Sequence, residues 1–107
     1  MDIFLENDKK RLNYLKKNYN EAARAVKEIC LRHDAASRVI LFGSVLRGNW
    51  TGNSDIDLLI ILKSPRAKDG IIIDIWRTVE APVEIHFATE DEFKNWYLRF
   101  IDVYKEI

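Results

Sequence analysis

A single cysteine, Cys30, occurs in 107 residues. The chain can therefore close no internal disulfide and offers no cysteine-based zinc site. Cys30 falls within a helical apolar pattern and reads as a buried structural thiol. Glycine and proline are sparse, at four and two, which leaves no flexible linker and no low-complexity segment. Net charge is also missing: Lys plus Arg and Asp plus Glu are 17 each. A neutral total gives no general pull toward nucleic acid or acidic membrane, so nucleic acid is not expected as a direct ligand. No apolar run is long enough to span a bilayer, and no leader or lipidation motif is visible. The expectation is a cytoplasmic protein with no membrane partner. Glutamine is absent, which leans toward a thermophilic source.

What is present is an ordinary globular balance, 48% apolar and 32% charged, at a length that suits one domain over residues 1–107. Residues 8–33 carry Leu12, Leu15, Tyr19, Ala22, Ala23, Val26, Ile29 and Cys30 at three- and four-residue steps, the pattern of an amphipathic helix. Asn7 or Asp8 is placed to cap it, and the basic residues Lys9, Lys10, Arg11, Lys16 and Lys17 read as its solvated face. Residues 38–42 form a short buried strand ended by Gly43, and residues 44–49 form one or two helical turns. The stretch 49–54 is rich in turn formers. Residues 55–62 are a second strand. Residues 70–80 fit a helix carrying Ile72, Ile75, Trp76 and Val79, although the β-branched run leaves a strand reading open. Residues 83–88 alternate as a half-buried strand does. Thr89 and Glu92 then form a capping box before a helix with an aromatic stripe: Phe93, Trp96, Tyr97, Phe100, Ile101 and Tyr104. Such a stripe reads as core or interface. The fold class is α+β, a small mixed sheet of about three strands flanked by about four helices.

The chemistry concentrates between residues 41 and 60. Asp55 and Asp57 are two apart on a strand and so share a face. Two like charges about 6 Å apart repel by roughly 3 kcal/mol at an effective dielectric near 20. A divalent cation is the simplest offset, and oxygen ligands suit Mg2+ or Mn2+. By itself Asp-x-Asp is weak, since Asp55 can end a turn and Asp57 can be an exposed strand residue. The pair also occurs in metal-dependent nucleases and glycosyltransferases, where a Gly-Ser element has no role. Gly43 follows a buried strand and lets a phosphate approach the backbone. Ser44 adds a hydroxyl, and amides at a helix start add donors. Arg47 is within reach of a phosphate, or is an ordinary surface arginine.

The combination is more specific. A strand ending in Gly43-Ser44, ten intervening residues, and Asp55-x-Asp57 opening the next strand resembles the signature of the nucleotidyltransferase superfamily that includes DNA polymerase beta. The chain is most similar to the minimal nucleotidyltransferases of bacteria and archaea, over nearly its whole length. The resemblance implies a polymerase-beta palm-like fold and a third acid on a later strand, for which Glu84 is the candidate. The family position is often Asp, so Glu84 is longer by one methylene. Alternation places Glu84 and His86 on one face, with His86 an auxiliary candidate or simply a partner to a carboxylate. His33 reads as a cation at a helix end, and Asp74 as a surface residue. Where many family members have Arg after the serine, this chain has Val45.

The resemblance further implies transfer of a nucleoside monophosphate, AMP from ATP, to an acceptor hydroxyl. Asp55, Asp57 and Glu84 would be both catalytic and metal-holding, and Gly43, Ser44 and Arg47 would bind the phosphates. An acceptor site is expected from another chain or a second copy of this one. Minimal nucleotidyltransferases are often paired with a small all-helical HEPN protein, so an antitoxin that adenylylates a tyrosine of a HEPN toxin is the leading expectation. The alternative, favoured by Val45 and Glu84, is a catalytically weak or inactive nucleotide- and metal-binding module that neutralises its HEPN partner by contact.

Overall fold

The computed structural model describes residues 3–48 and 55–107, so the turn expected over 49–54 lies outside them. The first helix, α1 (Ile3–His33), begins earlier than expected, which puts Asn7 and Asp8 inside it rather than at its cap. Its stripe of Leu15, Ala22, Ala23, Val26, Ile29 and Cys30 is buried. Strand β1 (Arg38–Phe42) follows a tight turn, and α2 (Ser44–Arg47) is the short helix after Gly43. Strand β2 (Ile56–Ile61) leads through a 3-10 turn at Pro65–Ala67 to α3 (Lys68–Thr78).

The helical reading of this β-branched segment holds, with a rotated stripe: Ile71 and Ile75 are buried, whereas Trp76 is 86% exposed. An i, i+4 pair faces the sheet, and the indole one position further round the helix faces solvent. Strand β3 (Val83–Ala88) then runs parallel to β2.

The last helical segment joins a turn at Glu90–Glu92 to a π-helical stretch, Phe93–Tyr97, and a final turn, Leu98–Phe100. Its capping box forms as expected. The Glu92 amide donates to Thr89 Oγ1 at 3.1 Å, and the Thr89 amide donates to Glu92 Oε1 at 3.0 Å.

The chain then turns into β4 (Tyr104–Glu106). Among the described residues, the expectation of three strands is thereby corrected to a four-stranded sheet in the order β3-β2-β1-β4. Tyr104 is not the end of the aromatic helix. Ile40, Leu41 and Phe42 of β1 pair antiparallel with Glu106, Lys105 and Tyr104, and that pairing holds the segment extended where its helical spacing suggests otherwise.

The two faces of the sheet are packed differently. Val39, Leu41, Ile56, Leu58, Ile60 and the inward side of β3 meet α1 and α3 in the main core. Ile40, Leu59, Ile61 and Ala88 meet Phe93, with Tyr97 and Ile101 alongside, in a smaller cluster under the last helix.

Asp34 ties the strand ends together. Its carboxylate accepts amide donors from Ala36, Lys63 and Ser64 at 2.8–3.0 Å. Burial pushes its pKa up, but those three amides and the Lys63 charge outweigh it and hold it below the usual carboxylate range.

Candidate active site

The site is built where β1 ends. Gly43 has φ +87° and ψ −157°, a region open essentially to glycine alone. A Cβ at this position would stand 2.1 Å from Asp57 Oδ2. Glycine is thus required twice, by its conformation and by the carboxylate lying against it. The amides of Leu46 and Arg47 donate to Gly43 O at 3.1 and 3.2 Å, so the Ser44 and Val45 amides precede the helical ladder. Val45 is buried in the main core, which accounts for an apolar residue after the serine. The guanidinium on this turn belongs instead to Arg47, which lines the cleft with Nη1 3.8 Å from Asp102 Oδ1.

The parallel register of β2 and β3 sets Asp57 beside Glu84 and Leu59 beside His86. Adjacent strands therefore present Asp57, Glu84 and His86 on one face, as alternation within each strand requires. One donor atom from each lies within 4.8 Å of the others, and His86 Nε2 is 3.5 Å from Glu84 Oε1. His86 is thus brought into the acidic group. Asp55 stands just before β2, half-buried, outside that close trio but near enough for its charge to act on Asp57.

Burial, a hydrogen bond with Glu84, and the charges of Glu84 and Asp55 together push the Asp57 pKa up to about 6, while Arg47 pulls it down. Crowded carboxylates that retain a proton in this way are what a divalent cation relieves. The donor set of two carboxylates and an imidazole fits such an ion. Its tight packing against Gly43 leaves the Asp57 carboxylate little freedom to turn away.

A cleft of about 410 Å³ opens over this group. Phe42, Gly43, Asp57 and His86 line one side, and Trp96, Tyr97, Phe100 and Ile101 line the other. The second wall is anchored by Arg38, whose guanidinium donates to both Glu90 oxygens at 2.8–2.9 Å and to Glu106 at 2.6 and 3.0 Å. The same group lies 5.3 Å from the centre of the Phe93 ring. One arginine thus secures the start of the last helix and β4 together.

Comparison with known proteins adds to this geometry. Residues 23–106 match the model of the nucleotidyltransferase domain. This chain belongs to the nucleotidyltransferase domain family. A crystal structure of a protein assigned as a nucleotidyltransferase superposes with a TM-score of 0.63 at 26% identity, covering 78% of this chain and 95% of its own. No curated protein matches the sequence.

Of the site residues expected from the sequence of this nucleotidyltransferase, Gly43, Arg47, Asp57, Glu84 and His86 converge. Ser44 heads α2, and Asp55 flanks the group. Arg38 carries no signal of its own in the sequence and looks like any cation at a strand end until β4 is placed beside it. The stripe expected to be core or interface divides between the two. Phe93 is buried, whereas Trp96 and Phe100 are 60% and 70% exposed. His33 is not an isolated helix-end cation, because its Nε2 lies 2.6 Å from Asp74 Oδ2, linking α1 to α3. Among the described residues, no helix is long and apolar enough to cross a membrane.

Proposed function

We propose that this nucleotidyltransferase moves AMP from ATP onto an acceptor hydroxyl, with Mg2+ or Mn2+ held by Asp57, Glu84 and Asp55 and with His86 assisting. The observation that carries this reading is the meeting of Asp57, Glu84 and His86 within 4.8 Å, directly against the Gly43 turn. A bound divalent cation would supply charge neutralisation for the phosphates and the carboxylates together. The Gly43 backbone, Ser44 and Arg47 bind and orient the β- and γ-phosphates. The acceptor oxygen attacks the α-phosphorus, the α–β anhydride bond breaks, and pyrophosphate leaves. The hydroxyl proton passes to the Glu84 carboxylate, which is exposed enough to exchange it with water. Such a transfer rests on positioning and charge rather than on covalent catalysis.

The acceptor in this proposal is a tyrosine of a small all-helical HEPN toxin, which makes the chain the antitoxin of a pair. The basic face of α1, where Lys9, Lys10, Lys16 and Lys17 are exposed, supports a docking role. The test is incubation of the purified chain with labelled ATP, Mg2+ and the protein encoded next to it. Label on a partner tyrosine, absent with Asp57→Asn, is the expected result. A tight complex that remains unlabelled would replace transfer with neutralisation by contact, the reading that Glu84 in place of a shorter acid favours.

A further inference from the structure

The cleft over the acidic group is two-sided, and only one side has been given work. Its far wall carries Trp96 and Phe100, whose ring centroids lie 5.3 Å apart and which are 60% and 70% exposed. Large aromatic rings left in water gain most from a flat partner. The same helix buries Phe93 and packs Tyr97 and Ile101 onto the sheet, so the exposed rings are not simply a surplus of its core face. The stretch that carries Trp96, Phe93–Tyr97, is π-helical, a distortion frequent at functional sites. Arg38 and the Thr89–Glu92 capping box fix the start of that helix, so the wall is held in place.

We infer that Trp96, with Phe100 beside it, is the seat of the donor's nucleobase, held by its ring face rather than by its hydrogen-bonding edge. This rests on the proposed nucleotidyl transfer and adds where the base goes. Charge complementarity argues for that occupant. The cleft joins an Arg47 and Gly43 end, suited to phosphate, and a carboxylate group, suited to a cation, to an aromatic wall. A nucleoside triphosphate is likewise polar at one end and flat and aromatic at the other. Seating by the ring face carries a consequence for specificity. Larger purine rings bind more tightly than pyrimidines, and ATP and GTP differ little, because stacking tolerates any base.

The test measures Mg2+-dependent binding of ATP, GTP, CTP and inorganic tripolyphosphate by calorimetry to the intact chain, Trp96→Ala and Trp96→Phe. Trp96→Ala should weaken ATP and GTP by roughly 10- to 100-fold and leave tripolyphosphate unchanged, and Trp96→Phe should restore most of the loss. Retained tripolyphosphate binding also certifies that the variant is folded. ATP affinity unchanged in Trp96→Ala would overturn the seat while leaving the phosphate site standing. Unchanged ATP affinity with slowed labelling of the partner would assign the wall to the acceptor instead, and equally overturns it. Tight discrimination of ATP from GTP in the intact chain would show edge recognition and refute the ring-face reading. Failure of the intact chain to bind either ATP or tripolyphosphate would sink the nucleotidyl-transfer reading itself.

Discussion

The two faces of the sheet are made from alternate residues of the same strands, yet they behave as different materials. On one face Ile56, Leu58 and Ile60 of β2 are sealed beneath α1 and α3. On the other, Asp57 holds a raised pKa among acids, and Leu59 and Ile61 are covered only by the last helix and its neighbours. The period of two along a strand lets six residues serve both purposes. The closed face supplies the stability against which the open face can hold like charges together.

That division can be broken from the open side first. Gly43→Ala forces the Asp57 carboxylate away, since its Oδ2 would lie 2.1 Å from the new Cβ. Transfer should fall roughly a thousandfold, equivalent to about 4 kcal/mol of barrier, while circular dichroism shows the fold retained. Full activity in this variant would separate Asp57 from the chemistry.

The next largest effect lies on the closed face. Ile60 is fully buried, so Ile60→Ala should destabilise by about 3 kcal/mol, whereas Phe100→Ala on the open face should change stability by less than about 1 kcal/mol. Urea unfolding of both variants checks the contrast, and equal losses would erase it. At the seam between the faces, Asp34→Ala would leave three amide donors without their acceptor and should cost about 2 kcal/mol. Because the folded state lowers the Asp34 pKa, its contribution is present above the ordinary Asp range and is lost as pH falls through it.

The smallest effect sharpens the comparison with its opposite sign. Asp57 is raised from 3.8 to about 6, so the folded, metal-free protein binds the proton more tightly than the unfolded chain. Its contribution is fully present below about pH 4 and is lost as pH rises through about 6. Solvent screening at this half-exposed group limits the loss to about 1 kcal/mol. Thermal melts across that range should show the decline, Asp57→Asn should flatten it, and Mg2+ at neutral pH should offset it until a chelator is added.

Much of the fold was legible because it rests on local pattern. The stripe from Leu15 to Cys30, the alternation from Val83 to Ala88 and the Thr89–Glu92 capping box each declare their element within a few residues. Gly43, Asp57 and Arg47 were legible as site candidates through residue type and spacing, and Glu84 through the family resemblance. Other features were not, since their cause lies far along the chain. Tyr104 continues a helical spacing yet pairs with Phe42 as a strand. Ile71 rather than Ile72 faces the core, because where α3 lands on the sheet sets its rotation.

Residue type and spacing alone put a glycine turn and a spaced pair of acids at two strand ends, because a short connection keeps those ends close. Which side chains meet was settled by the assembled fold. Register between β2 and β3 brought Glu84 and His86 in beside Asp57 and left Asp55 at the margin. The docking of the last helix through Arg38 turned two aromatic residues toward the cleft. Register and docking are settled by surfaces distant in sequence, and no local period encodes them.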